Sequence, residues 1–161
     1  MSDGIGVRKW RVWLWSYAPL FVWIAVIFLL SSDSGSMSNT SRFVRPILVF
    51  LFPTADETTL LFYHGIVRKL AHFTEYAILG ALAIRALERF KYRYILAVSI
   101  VIAVAFADEI GQSFRPSRTA SIIDVGIDIA GGLVMITALY LYVQMGSSAT
   151  KKMRAEKRNN V

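Results

Sequence analysis

Five carboxylates, Glu75, Asp108, Glu109, Asp124 and Asp128, lie in or at the ends of long apolar runs, together with His72, Lys69, Arg115 and Arg118. An ionised side chain at membrane depth is costly unless it is paired or hydrated, so such residues are candidates for function by default. His72 and Glu75, three apart, share one face of a helix and could supply two metal ligands, with Asp108, Glu109, Asp124 or Asp128 completing the set. One histidine among carboxylates suits magnesium or manganese, ions that commonly engage phosphate-bearing substrates. Without a metal, Glu109 or Glu75 would act as a general base while Arg115 and Arg118 stabilise an anion. Plainer readings stand beside these: His72 ion-paired with a carboxylate, or a salt-bridge lattice that fixes helix register. Ser31, Ser32 and Ser34 are conceivable nucleophiles, but serines in such a stretch ordinarily form loops. No cofactor is specified.

The elements that must hold these residues are membrane helices. In a chain of 161 residues, a hydrophobic content of 55% exceeds what a soluble core needs. Absence of cysteine excludes disulfides, zinc–thiolate sites and thiol catalysis. The net charge of +7 falls between apolar runs, which argues for membrane orientation and against nucleic acid as a partner. Four spans are expected: Val12–Leu30, Leu70 to Leu87, Tyr94 to Phe106 with a polar extension to Gln112, and Ile122 to Val143. The expected fold class is all-α, an integral membrane four-helix bundle.

Four spans divide the basic residues unequally. Twelve, within 8–11, 85–93 and 151–158, fall on one side and six, from Arg42 to Arg118, on the other. The positive-inside rule then makes both termini cytoplasmic and puts the segments near 31–69 and 113–121 outside. The expected organisation is a basic cytoplasmic N-terminus at 1–11, a transmembrane domain at 12–145 and a basic, frayed cytoplasmic tail at 146–161 that contacts anionic lipid. Between the first two spans, Phe43–Phe52 is too short to cross and is interrupted by Pro46 and Pro53, so an extracytoplasmic interfacial or re-entrant segment is expected. Thr54 with Glu57 reads as a capping box that opens a short helix ending near His64.

Depth then groups the polar residues. Counting from Arg68 at about 1.5 Å per residue, His72 lies roughly 6 Å down the second span and Glu75 roughly 10 Å. Lys69 and Tyr76 follow the same helical spacing. Asp108, Glu109 and Gln112 occupy the last turns of the third span, and Asp124 and Asp128 the first turns of the fourth. Three antiparallel helices thus deliver acids to one level. Lys69, Tyr76, Asp108, Gln112, Arg115, Arg118, Asp124 and Asp128 are the expected binding residues, and Glu109, His72 and Glu75 the catalytic candidates. A transporter should carry polar residues through the midplane, where this chain has almost none apart from Ser99.

The run from Ile66 to Gly80, IVRKLAHFTEYAILG, resembles the central signature of the VanZ-like membrane family. The resemblance continues through Asp108-Glu109-x-x-Gln112-x-Phe114-x-Pro116-x-Arg118, through Asp124-x-x-x-Asp128-x-x-Gly131, and at Ser31-Ser32, covering roughly residues 15 to 140. Many members carry glycine where Ser117 stands and asparagine where Asp128 stands. The resemblance implies a multi-pass plasma-membrane protein of the cell envelope, in a family named for teicoplanin resistance. Membrane lipids and a lipid-linked envelope precursor are the expected partners, held in an outward-facing polar pocket. The alternatives are an enzyme acting on a phosphate-bearing lipid or cell-wall precursor, and a non-catalytic structural or transport subunit.

Overall fold

The computed structural model describes residues 3–32, 37–114 and 121–159. These form five helices, α1 (Asp3–Leu30), α2 (Met37–Leu51), α3 (Glu57–Ala86), α4 (Arg93–Ser113) and α5 (Ile122–Asn159), with no strand among the described residues. Within α1, α4 and α5, the segments Trp13–Leu30, Arg93–Ser113 and Ile122–Ser147 are long and apolar enough to cross a membrane. Large apolar side chains such as Phe21, Leu29, Ile95, Ile110 and Val134 point out from these helices. An apolar surface of this kind is not maintained in water but is the ordinary exterior of a protein in lipid.

Helix α3 is the hub and packs against each of the other four. Its charges exclude it from the apolar class above, yet its inner face carries the core residues Tyr76, Leu79 and Ala83, which meet Ala97, Val101 and Ala105 of α4 and Val125 and Ile136 of α5. Small residues dominate where helices cross, because lipid supplies no hydrophobic drive for association and close backbone approach must replace it. A Cβ on Gly80 would come within 2.9 Å of the Gly132 carbonyl oxygen on α5, so the absence of a side chain there lets the two helices approach.

Two bonds align α1 antiparallel to α3. The Trp23 indole N–H donates to the Glu75 carbonyl at 2.9 Å, and the Arg85 guanidinium donates to the Trp15 carbonyl at 3.1 Å. The C-terminal end of α1 is thereby brought to the first half of α3, level with the last turn of α4.

The structure corrects three sequence expectations. The helix beginning near residue 57 does not stop at His64 but runs 30 residues as α3, since nothing between Glu57 and Ala86 breaks it. Its N-cap is Asp56, in extended conformation, whose side chain accepts from the Thr59 N–H at 3.0 Å. The Thr59 hydroxyl and N–H hold the Asp56 carboxyl below the usual carboxylate range. Helix α2 continues through Pro46, which removes one backbone donor but does not end the helix. Its Phe43, Ile47 and Phe50 form an exposed apolar stripe, while Leu48 is buried. The basic tail is helical to Asn159 where fraying was expected, because Ala, Lys, Met, Arg and Glu are all strong helix formers.

Helix α2 is tied to α3 by the Arg45–Glu57 ion pair at 2.7 Å, by Phe52 against Tyr63 with ring centroids 4.6 Å apart, and by a 3.1 Å hydrogen bond between Thr40 Oγ1 and His64 Nε2. His64 is only 4% exposed, and burial, with the neighbouring Arg68 charge, holds its imidazole below the usual histidine range. The folded state therefore binds a proton less readily than the unfolded chain. The stabilisation is present above the unfolded value of about 6.5 and is lost as pH falls through the lower folded value. Acidification through that range is expected to lower the amide-exchange protection factors of α2 while leaving those of α4 high, and His64→Gln is expected to remove that pH dependence.

Candidate functional site: a buried acidic centre

On α3, His64, Arg68, His72 and Tyr76 recur every four residues and so form one stripe, about 18 Å long. Asp108 and Gln112 stand in the same relation on α4, as do Asp124 and Asp128 on α5. Packing of the three helices brings these stripes together. His72, Asp108 and Asp128 each present a ligand-type atom, and all three atoms lie within 4.8 Å of one another. Asp108 and Asp128 are 2% and 1% exposed, and His72 is partly buried.

Asp108 is held by two donors. Ser31, immediately after α1, donates its hydroxyl to Oδ2 at 2.7 Å, and the Gln112 amide donates to the same oxygen at 2.9 Å. Asp128 Oδ1 stands 3.6 Å from His72 Nδ1, an ion-pair separation longer than a hydrogen bond. Lys69 approaches Asp124 at the same distance of 3.6 Å, with about half of its side chain exposed. Solvent screening makes that pair weak and leaves the ammonium able to turn toward another anion.

The Glu109 carboxylate, 8% exposed, accepts the Ser121 N–H and so anchors the start of α5. Tyr76 is fully buried beneath the cluster, and its hydroxyl has no hydrogen-bond partner among the described residues. The charges of Asp128, Asp108, Glu75 and Glu109 all reach that hydroxyl.

A cavity of about 120 Å³ opens between α3 and α5, lined by Gly65, Arg68, Lys69, His72, Asp124, Ile127 and Asp128. It is larger than one water requires, and ionisable side chains reach into it. Arg68, Lys69 and Asp124 stand at its rim, and His72 with Asp128 at its floor.

Of the expected site residues, the structure unites His72, Asp108, Gln112, Tyr76 and Asp128 around one centre, with Lys69 and Asp124 at its mouth. Glu75, the expected second ligand beside His72, lies outside the close trio, whose other two members come from α4 and α5. Arg115, Arg118 and Ser34 lie outside the described residues. Sequence reasoning treated Ser31 as a loop former or nucleophile, whereas the structure makes it a buried donor to Asp108. Its position at the end of the first span, level with the last turn of the third, was the available signal. Trp23, which spans α1 to α3, carried none.

A helical chain with three segments long and apolar enough to cross a membrane, and an acidic centre assembled from α3, α4 and α5 with Ser31 just beyond α1, has the features of a membrane protein with a polar site among its helices. The chain belongs to the VanZ/LLP1 family, whose pattern matches residues 16–143. No curated protein and no solved structure matches it.

Proposed function

We propose that this protein is a multi-pass plasma-membrane protein of the cell envelope whose α3/α5 cavity holds the phosphate-bearing headgroup of a lipid or lipid-linked precursor, and that it lowers susceptibility to teicoplanin-type glycopeptides through that site. In this reading α3 is a fourth span and both termini are cytoplasmic. At 30 residues α3 is about 45 Å long, enough to cross, and it turns His64, Tyr76 and Leu79 inward against its neighbours while Glu57, Lys69 and Arg85 stay exposed. The cavity then opens toward the outer leaflet, and the apolar stripe of α2 lies in the interface beside it.

The observation that carries the reading is the set of ionisable residues lining the cavity, with Arg68, Lys69 and Asp124 at the mouth above His72 and the buried Asp128. Basic groups at headgroup level attract phosphate, while the acidic floor discriminates against anions that penetrate further. Wild-type chain in detergent is expected to bind short-chain phosphatidic acid. Lys69→Ala and Arg68→Ala should each weaken binding about tenfold, the effect of losing one charge-assisted contact. Arg45→Ala, at the α2–α3 pair, should not.

The phenotype is tested by teicoplanin susceptibility in a host expressing wild type, Lys69→Ala or no insert at matched abundance. Reduced susceptibility with wild type alone supports the role. Equal susceptibility in all three removes resistance from it and leaves headgroup binding to stand on the titration.

A further inference from the structure

We propose that His72, Asp108 and Asp128 form a site for one divalent cation of the magnesium or manganese class, at the junction of α3, α4 and α5 and at the floor of the cavity. The inference goes beyond headgroup binding, because the ion would bind whether or not a headgroup does.

The spacing is the first support. Ligands at about 2.1 Å from a hexacoordinate ion stand roughly 3 to 4 Å apart, depending on whether they are adjacent or opposite. The three ligand atoms here lie within 4.8 Å of one another, and His72 Nδ1 and Asp128 Oδ1 are 3.6 Å apart. That separation is too long for a hydrogen bond but suits two ligands sharing an ion. Charge is the second support. Two carboxylates almost wholly removed from solvent face one imidazole, while Lys69 stands at the exposed mouth beside Asp124, 3.6 Å away. A divalent ion compensates such a pair where a single proton or imidazolium does so only in part.

Tyr76 supplies an observation independent of the acids. Its fully buried hydroxyl has no partner among the described residues, although it lies one helical turn from His72 and within the field of Asp108 and Asp128. A hydroxyl so placed needs a polar partner, and a water in the coordination shell of an ion provides one. The Ser31 and Gln112 bonds that orient Asp108 are the outer-shell support expected around a ligating carboxylate. Two oxygen donors and one nitrogen, with no cysteine in the chain, select a hard cation over zinc in a structural site.

The test uses manganese alone with the full chain purified in detergent. Addition of wild-type protein should reduce the free-ion electron paramagnetic resonance signal with a stoichiometry of one ion per chain, and magnesium should compete. Asp108→Asn and Asp128→Asn should each weaken binding by about tenfold or more, while Glu57→Gln at the exposed α2–α3 pair leaves it unchanged. Pulsed spectra of manganese on wild type should show nitrogen coupling that survives His64→Gln, a measurement that does not depend on the acid variants folding. Undiminished free-ion signal at millimolar manganese, binding that persists in a folded Asp108→Asn/Asp128→Asn double variant, or a bound ion without nitrogen coupling would each overturn the assignment. Failure of phosphatidic acid to bind would leave this result untouched, so the two readings fail separately.

Discussion

Gly131→Ala is expected to destabilise the protein by about 3 kcal/mol or more, the largest effect of an added methyl group among the described glycines. A Cβ at this position would lie 2.1 Å from the Phe73 carbonyl oxygen and 2.9 Å from its carbonyl carbon. Both are backbone atoms of α3, so no rotamer change relieves the clash and the two helices must separate. Phe73 follows His72, and Gly131 lies one turn beyond Asp128, so separation also opens the His72–Asp128 spacing. Loss of the α3/α5 seam should therefore appear both as a lower midpoint of thermal unfolding in detergent and as loss of ligand binding in whatever protein remains folded. Gly126→Ala is the control. It lies on the same helix with nothing within 4 Å of the added carbon, and should stabilise by about 0.5–1 kcal/mol through helix propensity. Equal midpoints for the two variants would contradict the close approach of α3 and α5.

Ser31→Ala is expected to cost about 1 to 2 kcal/mol, large for removal of one oxygen from a residue at the end of a helix. A hydrogen bond to a buried carboxylate contributes about 1.5–3 kcal/mol in soluble proteins, and polar contacts between membrane helices contribute less, rarely above about 1.7 kcal/mol. Ser31 is 1% exposed and its bond to Asp108 joins residues 77 apart in sequence, so the bond ties the end of α1 to α4. Ser32, whose hydroxyl bonds the carbonyl of Leu29 in its own helix, should change stability by less than about 0.5 kcal/mol when replaced by alanine. The pairwise origin is checked by a double-mutant cycle: in an Asp108→Ala background, Ser31→Ala should have little further effect. Additive costs would show that Ser31 acts through packing and not through the carboxylate.

Composition and pattern were enough to define an all-helical membrane protein with polar residues concentrated at one level. The reason is local: apolar run length reports a span, and four-residue spacing reports a shared helix face, so His72 with Tyr76 and Asp124 with Asp128 could be placed before any packing was known. The close approach of Gly80 to α5 was legible for a similar reason, since small residues in an apolar helix have few other uses. Helix boundaries in the segment between α1 and α3 were not. Pro46 signalled a break that α2 absorbs, and Thr54 imitated a cap that Asp56 provides.

The identity of the close neighbours was decided by tertiary structure alone. Spacing along one helix paired His72 with Glu75, but the atoms nearest one another come from three helices, because a rotation of each helix about its axis, set by where glycine permits contact, determines which carboxylates converge. Ser31 became a partner of Asp108 only when α1 was laid alongside α4, and Glu109 became an anchor for α5 only when the packing of α5 against α4 put Ser121 within its reach. Sequence thus determined which residues are polar at membrane depth, a property of each helix by itself. Which of them meet depends on relative rotation and register between helices, and that information resides in the packing.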